Sequence, residues 1–581
     1  PEWEVLFSVA DFDEVLGDDV YLDGVSHYVE QPNRVLLSLS PGGGDAAFTL
    51  EFDLEARQVV PNGFHFPAGK NHIAWRDEDS VWVCPAWDDR QLTASGYPRE
   101  AWLLRRGQSF EEAQPLLQTA VESVWVHAWR YLDAQGAPLD LLEESTGFFS
   151  RRYFQVASDG ALLPLGLPET CEICGYLGGW LLVLLKHDWL RANQSYAAGS
   201  LVAVKLNKGV LGQAQCLFVP QAGQSVEGVE TTRHFVAATL LDNVSGSLKA
   251  WRLQQGQWQT AEVPELPLEG AGVLEFADQP WGGDVLYIAA SSFLSPLTLY
   301  TLDLQRQEWC VMRRQPAQFE PEGLGVQQLH AVSADGERIP YYHVGNGELN
   351  APALVYAYGG FGVPELPHYL GIIGRHWLAQ GGAFVLANIR GGGEFGPAWH
   401  AAAQGAARKH KSVEDLVAVA QDLAARGLSA PERIVLQGGS NGGLVCAAAY
   451  CAAPQSIGGM VCEVPLTDML RYPHLLAGAS WQEEYGNPDA EPDRGYLKKL
   501  SPYHNLHGGQ TYPPALITTN LSDDRVHPAH ALKFHARLRE IGVNSRLYAP
   551  EAGGHAGNAS QEEVAAELAA VLVFLRQTVG K

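Results

Sequence analysis

Apolar and polar residues follow two different rhythms along this chain of 581 residues. From Val20 to Pro316, short apolar or alternating runs are separated by turns rich in Gly, Asp, Asn and Pro, and almost no stretch has helical spacing. Runs such as Val81-Trp82-Val83-Cys84 therefore predict strands. The runs recur with a period of about 45 residues, which is typical of four-stranded propeller blades. We count six such units, and a set of β-sandwich domains is the alternative.

The rhythm changes near Leu349, where apolar strands begin to alternate with amphipathic helices. This alternation predicts a doubly wound, mostly parallel α/β sheet. Ser412 is a natural cap for a helix over 413–426, and Ser560 with Glu563 forms a capping box that opens the last helix. We predict three regions, which are a lead-in segment at 1–15, an all-β propeller domain at 16–320 and an α/β domain at 321–581.

Composition narrows the class of protein. Hydrophobic residues make up 46% of the chain and charged residues 18%, as in ordinary globular proteins. The net charge of −26 argues against nucleic acid or anionic membrane as a partner, because both require a basic face. Cys171 and Cys174 have no second pair to complete a zinc site, and we predict no metal and no cofactor. The reducing cytoplasm is the simplest location, with periplasmic export as the alternative.

One short run indicates the chemistry. Gly438-Gly439-Ser440-Asn441-Gly442 lies between a predicted strand and an alanine-rich helical stretch. It fits the nucleophile elbow G-x-S-x-G, in which glycines allow a sharp turn that presents the serine hydroxyl above a sheet. The alternative is a glycine-rich turn in which Ser440 only caps the helix.

The downstream sequence favours the elbow, because an α/β-hydrolase has its acid and its histidine on loops after later strands. A predicted strand at 515–519 is followed by Asp523 and Asp524, and either can be the acid. A predicted final strand at 545–549 is followed by a glycine-flanked histidine, His555, which is the candidate base.

Together these residues resemble the prolyl oligopeptidase family of serine peptidases. The resemblance is dense over residues 350 to 560 and rests on three further runs, Tyr356-Ala357-Tyr358-Gly359-Gly360-Phe361, Asn388-Ile389-Arg390-Gly391-Gly392-Gly393-Glu394-Phe395-Gly396 and Asp523-Asp524-Arg525-Val526. It implies an α/β-hydrolase domain capped by a propeller of seven blades, one more than the six units counted. It also implies cleavage of short peptides after proline through an acyl-enzyme.

The resemblance assigns roles to individual residues. It implies a triad of Ser440, Asp523 and His555, and an oxyanion hole made by the backbone N–H of Asn441 and the hydroxyl of Tyr358. The implied substrate-binding residues are Trp481, Phe361, Tyr485 and Val526 around the proline ring and Arg525 on a substrate carbonyl. The structural alternatives are a buried strand-end tyrosine at 358 and an Arg525–Asp524 pair.

Other functions remain open on the sequence alone. A hydrolase of the same fold with another preference, similar to oligopeptidase B, an aminopeptidase or an esterase, is the main alternative. Oligopeptidase B resembles the stretch around Trp481 but has a carboxylate there, and Glu483 and Glu484 would favour basic substrates if they faced the pocket. A non-catalytic propeller protein is disfavoured, because it has no reason to keep the triad in order. We expect short peptides as partners and a monomer or small homo-oligomer.

Overall fold

The computed structural model describes residues 4–12, 16, 20–133, 136–266, 272–277, 283–557 and 560–579. Its first part is all β. The strands are β1 (Val20–Tyr28), β2 (Gln31–Pro41), β3 (Ala47–Asp53), β4 (Gln58–Val59), β5 (His65–Gly69), β6 (His72–Asp77), β7 (Ser80–Cys84), β8 (Glu100–Arg105), β9 (Pro115–Gln118), β10 (Trp125–Leu132), β11 (Pro138–Ser145), β12 (Arg151–Val156), β13 (Leu162–Pro164), β14 (Cys171–Leu177), β15 (Trp180–Leu185), β16 (Trp189–Arg191), β17 (Gln194–Tyr196), β18 (Leu201–Asn207), β19 (Val210–Phe218), β20 (Gln224–Thr231), β21 (Phe235–Asp242), β22 (Ser245–Gln254), β23 (Gln257–Ala261), β24 (Gly272–Phe276), β25 (Val285–Ser292), β26 (Thr298–Asp303) and β27 (Glu308–Arg314).

These strands form six successive antiparallel sheets, which are the blades of a propeller. The first sheet has a fifth strand, β5, and the hairpin β16–β17 is inserted in the fourth. The count of six units is confirmed, and the expectations of seven blades and of sandwich domains are wrong. The connections between blades, such as that from Gly69 to His72, have no room for four more strands.

Neighbouring blades pack through strands that are apolar on both faces. In β15, Leu181 and Val183 pack against the third blade through residues such as Leu141, whereas Trp180 and Leu182 pack against the fifth. Side chains of a strand alternate between its two faces, so an uninterrupted apolar run is what a strand between two blades requires.

The second part is an α/β domain. Its strands are β28 (Gly325–Val332), β29 (Arg338–Gly345), β30 (Ala353–Tyr356), β31 (Ala383–Ala387), β32 (Ile434–Gly439), β33 (Gly459–Glu463), β34 (Ala515–Thr518) and β35 (Ser545–Tyr548), and its helices are α1 (Gly371–His376), α2 (Pro397–Ala401), α3 (His410–Ala425), α4 (Asn441–Ala452), α5 (Gln482–Tyr485), α6 (Asp493–Leu500), α7 (Ala529–Glu540) and α8 (Gln561–Val579). The sheet order is β28-β29-β31-β30-β32-β33-β34-β35. All pairs from β31 to β35 are parallel, as predicted for an α/β-hydrolase.

Helices cover both faces of this sheet. On one face Leu436 packs in a cluster with residues of α3 and α4, and on the other Val435 packs in a cluster with residues of α1 and α8. The capping box is confirmed, because the Glu563 N–H donates to Ser560 Oγ at 3.2 Å and the Ser560 N–H to Glu563 Oε2 at 3.2 Å. The cap prediction for Ser412 is wrong, because α3 begins before it and Ser412 is buried.

The propeller and the α/β domain are joined by charged contacts beside Asp523. The guanidinium of Arg525 donates to both carboxylate oxygens of Asp45 in the first blade, each at 2.8 Å. The Asp45 N–H in turn donates to the Asp524 carboxylate at 3.0 Å, and Lys70 Nζ donates to the Asp524 carbonyl at 2.6 Å. Burial raises the pKa of Asp45, but Arg525 and Lys70 outweigh burial and leave the pKa lowered.

We predict that Asp45→Asn loosens this contact. The Arg525 side chain is 40% exposed, so the pair is worth no more than about 1 kcal/mol, or about fivefold in an opening equilibrium. Hydrogen–deuterium exchange followed by mass spectrometry should show faster exchange in the segments around 42–45 and 521–526. Asp159→Asn, at an exposed turn of the propeller, is the charge-matched control. Equal exchange in the wild type and Asp45→Asn would contradict the prediction.

Candidate active site

Ser440 occupies a sharp turn between β32 and α4. Its backbone has φ 54° and ψ −116°, a strained conformation for a residue with a side chain. A Cβ on Gly438 would lie 2.5 Å from the Gly442 carbonyl oxygen, and a Cβ on Gly442 would lie 2.5 Å from that of Ala357. Both positions therefore require glycine, and the local geometry is that of a nucleophile elbow.

The structure brings together the other two candidate triad residues, Asp523 and His555. His555 Nδ1 and Asp523 Oδ2 are 2.8 Å apart, and both side chains are nearly inaccessible to solvent. Asp523 Oδ1 accepts the N–H groups of Arg525 and Val526, each at 2.9 Å. A bond from Nδ1–H to the carboxylate leaves Nε2 of a neutral imidazole free to accept a proton. Asp524 instead accepts a hydrogen bond from the propeller. The residues alone left open which of the two aspartates is the acid, and this difference in partners favours Asp523.

The residues expected to stabilise an oxyanion lie next to the elbow. The side chain of Tyr358 lies close enough to that of Ser440 for the serine to act on the pKa of the tyrosine. Burial, followed by the charges of Glu484 and Glu365, raises the pKa of Tyr358, so this hydroxyl stays protonated and can donate. Asn441 is the first residue of α4, where the backbone N–H has no acceptor within the helix.

A buried ion pair fixes the turn that follows Tyr358. Lys409 and Glu484 are both 0% exposed, and Lys409 Nζ is 2.7 Å from Glu484 Oε1. The same Nζ donates to the Gly359 carbonyl at 2.9 Å. Burial raises the pKa of Glu484, but Lys409 and His400 outweigh burial and leave it lowered, so the carboxylate is ionised. The Lys409 ammonium is therefore held against the backbone of the segment 358–361, which we call the oxyanion segment after its predicted role.

The side chain of Asn441 completes this network. Its Nδ2 donates to the Tyr358 carbonyl at 2.6 Å, and its Oδ1 accepts the Tyr485 hydroxyl at 3.0 Å. A Cβ on Gly360 would collide with Asn441 and with Lys409, which explains the glycine there. Asn441 thus links the elbow, the oxyanion segment and helix α5.

The predicted pocket residues form one apolar group. Trp481, Tyr485 and Val526 are buried members of a single cluster, and Phe361 packs against it with its ring centroid 5.5 Å from that of Tyr485. None of these four side chains carries a charge. We call this group of four side chains the slot, because it is where the sequence predicts that a proline ring binds.

Sequence reasoning missed the propeller's contribution to this slot. Between β11 and β12, the ring of Phe148 lies 5.1 Å from that of Phe361, and the ring of Phe149 lies 4.8 Å from that of His400. Glu483 holds this hairpin, because its carboxylate accepts the Phe149 N–H at 2.6 Å and the Ser150 hydroxyl at 2.7 Å. No local signal in the sequence joins residues more than 300 positions apart.

The two glutamates after Trp481 therefore both have partners. Glu484 is paired with Lys409 and His400, and Glu483 binds the propeller hairpin. The charge of Glu484 is paired with Lys409, whereas the carboxylate of Glu483 is oriented toward the propeller by two neutral donors. Arg525 pairs with Asp45 and not with Asp524, the partner that the structural alternative proposed.

Comparison with known proteins agrees with this architecture. Residues 374–581 match the model of the prolyl oligopeptidase family, and residues 181–315 match that of the prolyl oligopeptidase N-terminal beta-propeller domain. An uncharacterized peptidase of Sinorhizobium fredii is 33% identical over 590 residues, which cover 99% of this chain and 81% of that protein. A prolyl endopeptidase of Elizabethkingia miricola is 33% identical over 331 residues, 55% of this chain and 46% of that protein.

Solved structures extend the similarity to the whole fold. A post-proline cleaving enzyme from Rickettsia typhi has a TM-score of 0.94 at 30% identity and covers 100% of this chain and 86% of its own. Oligopeptidase B from Leishmania major has a TM-score of 0.84 at 17% identity, covering 99% of this chain and 81% of its own, and shares the fold. This chain belongs to the prolyl oligopeptidase family of serine peptidases.

Proposed function

We propose that this peptidase hydrolyses short peptides on the carboxyl side of proline. The observation that carries the proposal is the apolar group formed by Trp481, Tyr485, Phe361 and Val526. Lys409 Nζ lies 5.5 Å from the Tyr485 ring centroid, but its charge is paired with Glu484. Proline has a compact ring and no N–H, so an apolar aromatic slot complements it. The names of the Rickettsia and Elizabethkingia relatives, a post-proline cleaving enzyme and a prolyl endopeptidase, support the same preference.

The proposed mechanism uses the triad in the usual roles. Ser440 Oγ attacks the carbonyl carbon of the proline residue while His555 Nε2 takes its proton. Asp523 keeps the imidazole in the required tautomer through the 2.8 Å bond and stabilises the imidazolium that forms. His555 then protonates the departing amine, which leaves an acyl-enzyme that water hydrolyses.

The oxyanion of each tetrahedral intermediate is proposed to bind the Asn441 N–H and the Tyr358 hydroxyl. One such preorganised donor is typically worth about 3 to 4 kcal/mol of barrier. Because the pKa of Tyr358 is raised, its proton is not lost before the oxyanion forms.

Cleavage after lysine or arginine, as an oligopeptidase B-like activity would require, is the alternative preference. Its motivation in the sequence was Glu483 and Glu484, and both have structural partners. The slot itself therefore favours proline over a basic residue.

We predict that Ser440→Ala abolishes hydrolysis while the protein stays folded, with a fall in kcat on the order of 10⁶. His555→Ala should match it, because triad residues act as a unit. Asp523→Asn should lower kcat by about 10⁴ through loss of the correct tautomer, and Asp524→Asn is the control with far less effect. Steady-state kinetics on a prolyl anilide and circular dichroism measure both properties. Full activity of Ser440→Ala would contradict the triad assignment. A larger loss of kcat in Asp524→Asn than in Asp523→Asn would identify Asp524 as the acid.

We predict that Trp481→Ala lowers kcat/KM for a prolyl substrate by more than about tenfold, because burial and stacking are lost together. An alanyl substrate, which places less surface on the indole, should suffer less. Trp481→Phe retains a ring face and should recover part of the prolyl activity. Equal losses for both substrates would show that Trp481 is a packing residue and would remove the main support for proline specificity.

We also predict selection by substrate size. The first blade and the β11–β12 hairpin contact the α/β domain beside Asp523 and at the slot, so substrates need to pass between the domains. Flexible proline-containing peptides should be cut, and a folded protein with exposed prolines should be spared. Gel and mass-spectrometric analysis of both after equal incubation tests this, and efficient digestion of the folded protein would contradict it.

A further inference from the structure

His400 links the buried ion pair of the active site to the propeller. It lies in helix α2, and its Nε2 is 2.7 Å from Glu484 Oε2. The other carboxylate oxygen of Glu484 bonds Lys409, so each oxygen of this buried carboxylate has one donor. The His400 side chain is 14% exposed, whereas those of Glu484 and Lys409 are 0% exposed. Of these three groups, His400 is therefore the one that solvent reaches.

The backbone that carries His400 is fixed by its neighbour. The indole of Trp399 donates to the Ile389 carbonyl at 3.1 Å, and the Trp399 carbonyl accepts the Gly391 N–H at 3.1 Å. The imidazole itself lies beside Gly362, where an added Cβ would be 3.5 Å from His400 Cγ. His400 thus has a defined position next to the residue that follows the oxyanion segment.

One residue of the propeller contacts the imidazole. The ring centroid of Phe149 lies 4.8 Å from that of His400, with an angle of 58° between the planes. The backbone of Phe149 is held in turn, because its N–H donates to the Glu483 carboxylate at 2.6 Å. Adjacent glutamates are therefore both linked to the hairpin at 147–150, Glu483 directly and Glu484 through His400.

The bond from His400 keeps the Glu484 carboxylate oriented toward Lys409. A buried carboxylate oxygen that loses its donor bears a desolvation cost, and protonation or a change of rotamer relieves that cost. Either change weakens the bond to the Lys409 ammonium, which also donates to the Gly359 carbonyl at 2.9 Å. Gly359 follows Tyr358, the proposed oxyanion donor. Loss of the bond at His400 is therefore expected to loosen the backbone beside that hydroxyl.

We propose that His400 is a positioning residue for stabilisation of the oxyanion, and that the ring of Phe149 holds its imidazole in place. In this role His400 acts through Glu484 and Lys409 and not on the reacting atoms. The inference rests on the proposed function, because it assumes that Tyr358 donates to the oxyanion. It adds one propeller residue to the groups that support catalysis.

The first experiment compares His400→Gln, which can still donate to Glu484, with His400→Leu, which cannot. With a prolyl anilide we expect His400→Leu to lower kcat by about tenfold or more and to leave KM within about threefold, because the slot is unchanged. His400→Gln should recover most of the kcat. His410→Leu removes a histidine that is 54% exposed at the start of α3, and this control should match the wild type.

Two safeguards keep folding apart from positioning. Titration with a phosphonofluoridate counts the active sites, so misfolded enzyme is not recorded as a loss of kcat. If no active sites remain in His400→Leu, His400→Phe takes its place, because it keeps an aromatic ring beside Phe149 and lacks the donor.

An aldehyde inhibitor provides a readout that a packing role would not change. A peptidyl prolinal adds to Ser440 and places its hemiacetal oxygen in the oxyanion site, whereas the product acid, an acyl-proline, fills the slot without that bond. The inhibition constant of the aldehyde should rise in His400→Leu by about the factor by which kcat falls. That of the acyl-proline should stay within about threefold of wild type.

A double-mutant cycle tests the part assigned to the propeller. Phe149→Leu should lower kcat by about threefold in the wild type and have little further effect in His400→Leu, because the ring acts through the imidazole. Additive effects overturn the part assigned to Phe149.

The remaining outcomes separate this inference from the proposed function. Equal losses of kcat in His400→Gln and His400→Leu overturn the positioning role alone, as does a fall in kcat without weaker aldehyde binding. A wild-type enzyme that cleaves no prolyl substrate overturns the proposed function instead. The same comparison of kcat on a substrate that it does cleave then tests His400 separately.

Discussion

The active-site geometry depends on one buried ion pair. Lys409 and Glu484 lie 2.7 Å apart without solvent contact, and Lys409 Nζ is also bonded to the Gly359 carbonyl. A buried charge is costly unless it is paired and hydrogen-bonded, so the turn after Tyr358 cannot move without exposing an uncompensated charge. Removing one partner would be far more damaging than replacing both. The pair therefore fixes the backbone next to the tyrosine that is proposed as an oxyanion donor.

The strained elbow is held by contacts with the neighbouring strand. Ser440 has φ 54°, and its N–H donates to the Glu463 carbonyl at 2.9 Å. Such a conformation persists only where the surroundings determine it. The glycines at 438 and 442 permit the close backbone approach, and the end of β33 supplies the acceptor. The neighbouring strand thus positions the backbone of the candidate nucleophile.

Much of this structure was predictable because the signals are local. The strands predicted at 515–519 and 545–549 are observed at Ala515–Thr518 and Ser545–Tyr548, and the elbow follows from its glycines and from the strand and helix that flank it. The six blades follow from strand periodicity, whereas the seventh came only from family resemblance. Ser412 shows the limit of local reasoning. It has the chemistry of a cap but lies inside α3, where its hydroxyl donates to the Arg390 carbonyl at 2.7 Å.

Contacts between distant parts of the chain were not predictable from local patterns. The pairing of Glu483 with the hairpin at 147–150 and of Arg525 with Asp45 depends on how the propeller sits on the α/β domain. Burial of Glu484 against Lys409 likewise needs the packed core. The sequence alone shows which residues are charged, but not the partner with which each of them pairs.

In two places, residues proposed to bind the substrate lie next to residues that join the two domains. Glu483, two residues after Trp481, fixes the hairpin whose aromatic rings cover the slot, and Arg525, next to Val526, bonds the first blade. Arg525 uses Nε and Nη2 for Asp45, and its Nη1 has no partner in the described structure. A guanidinium has five N–H donors in a fixed fork, so one arginine can hold the domains together and still donate to a substrate carbonyl. The role predicted for Arg525 is therefore compatible with its ion pair to Asp45, and it stays a prediction.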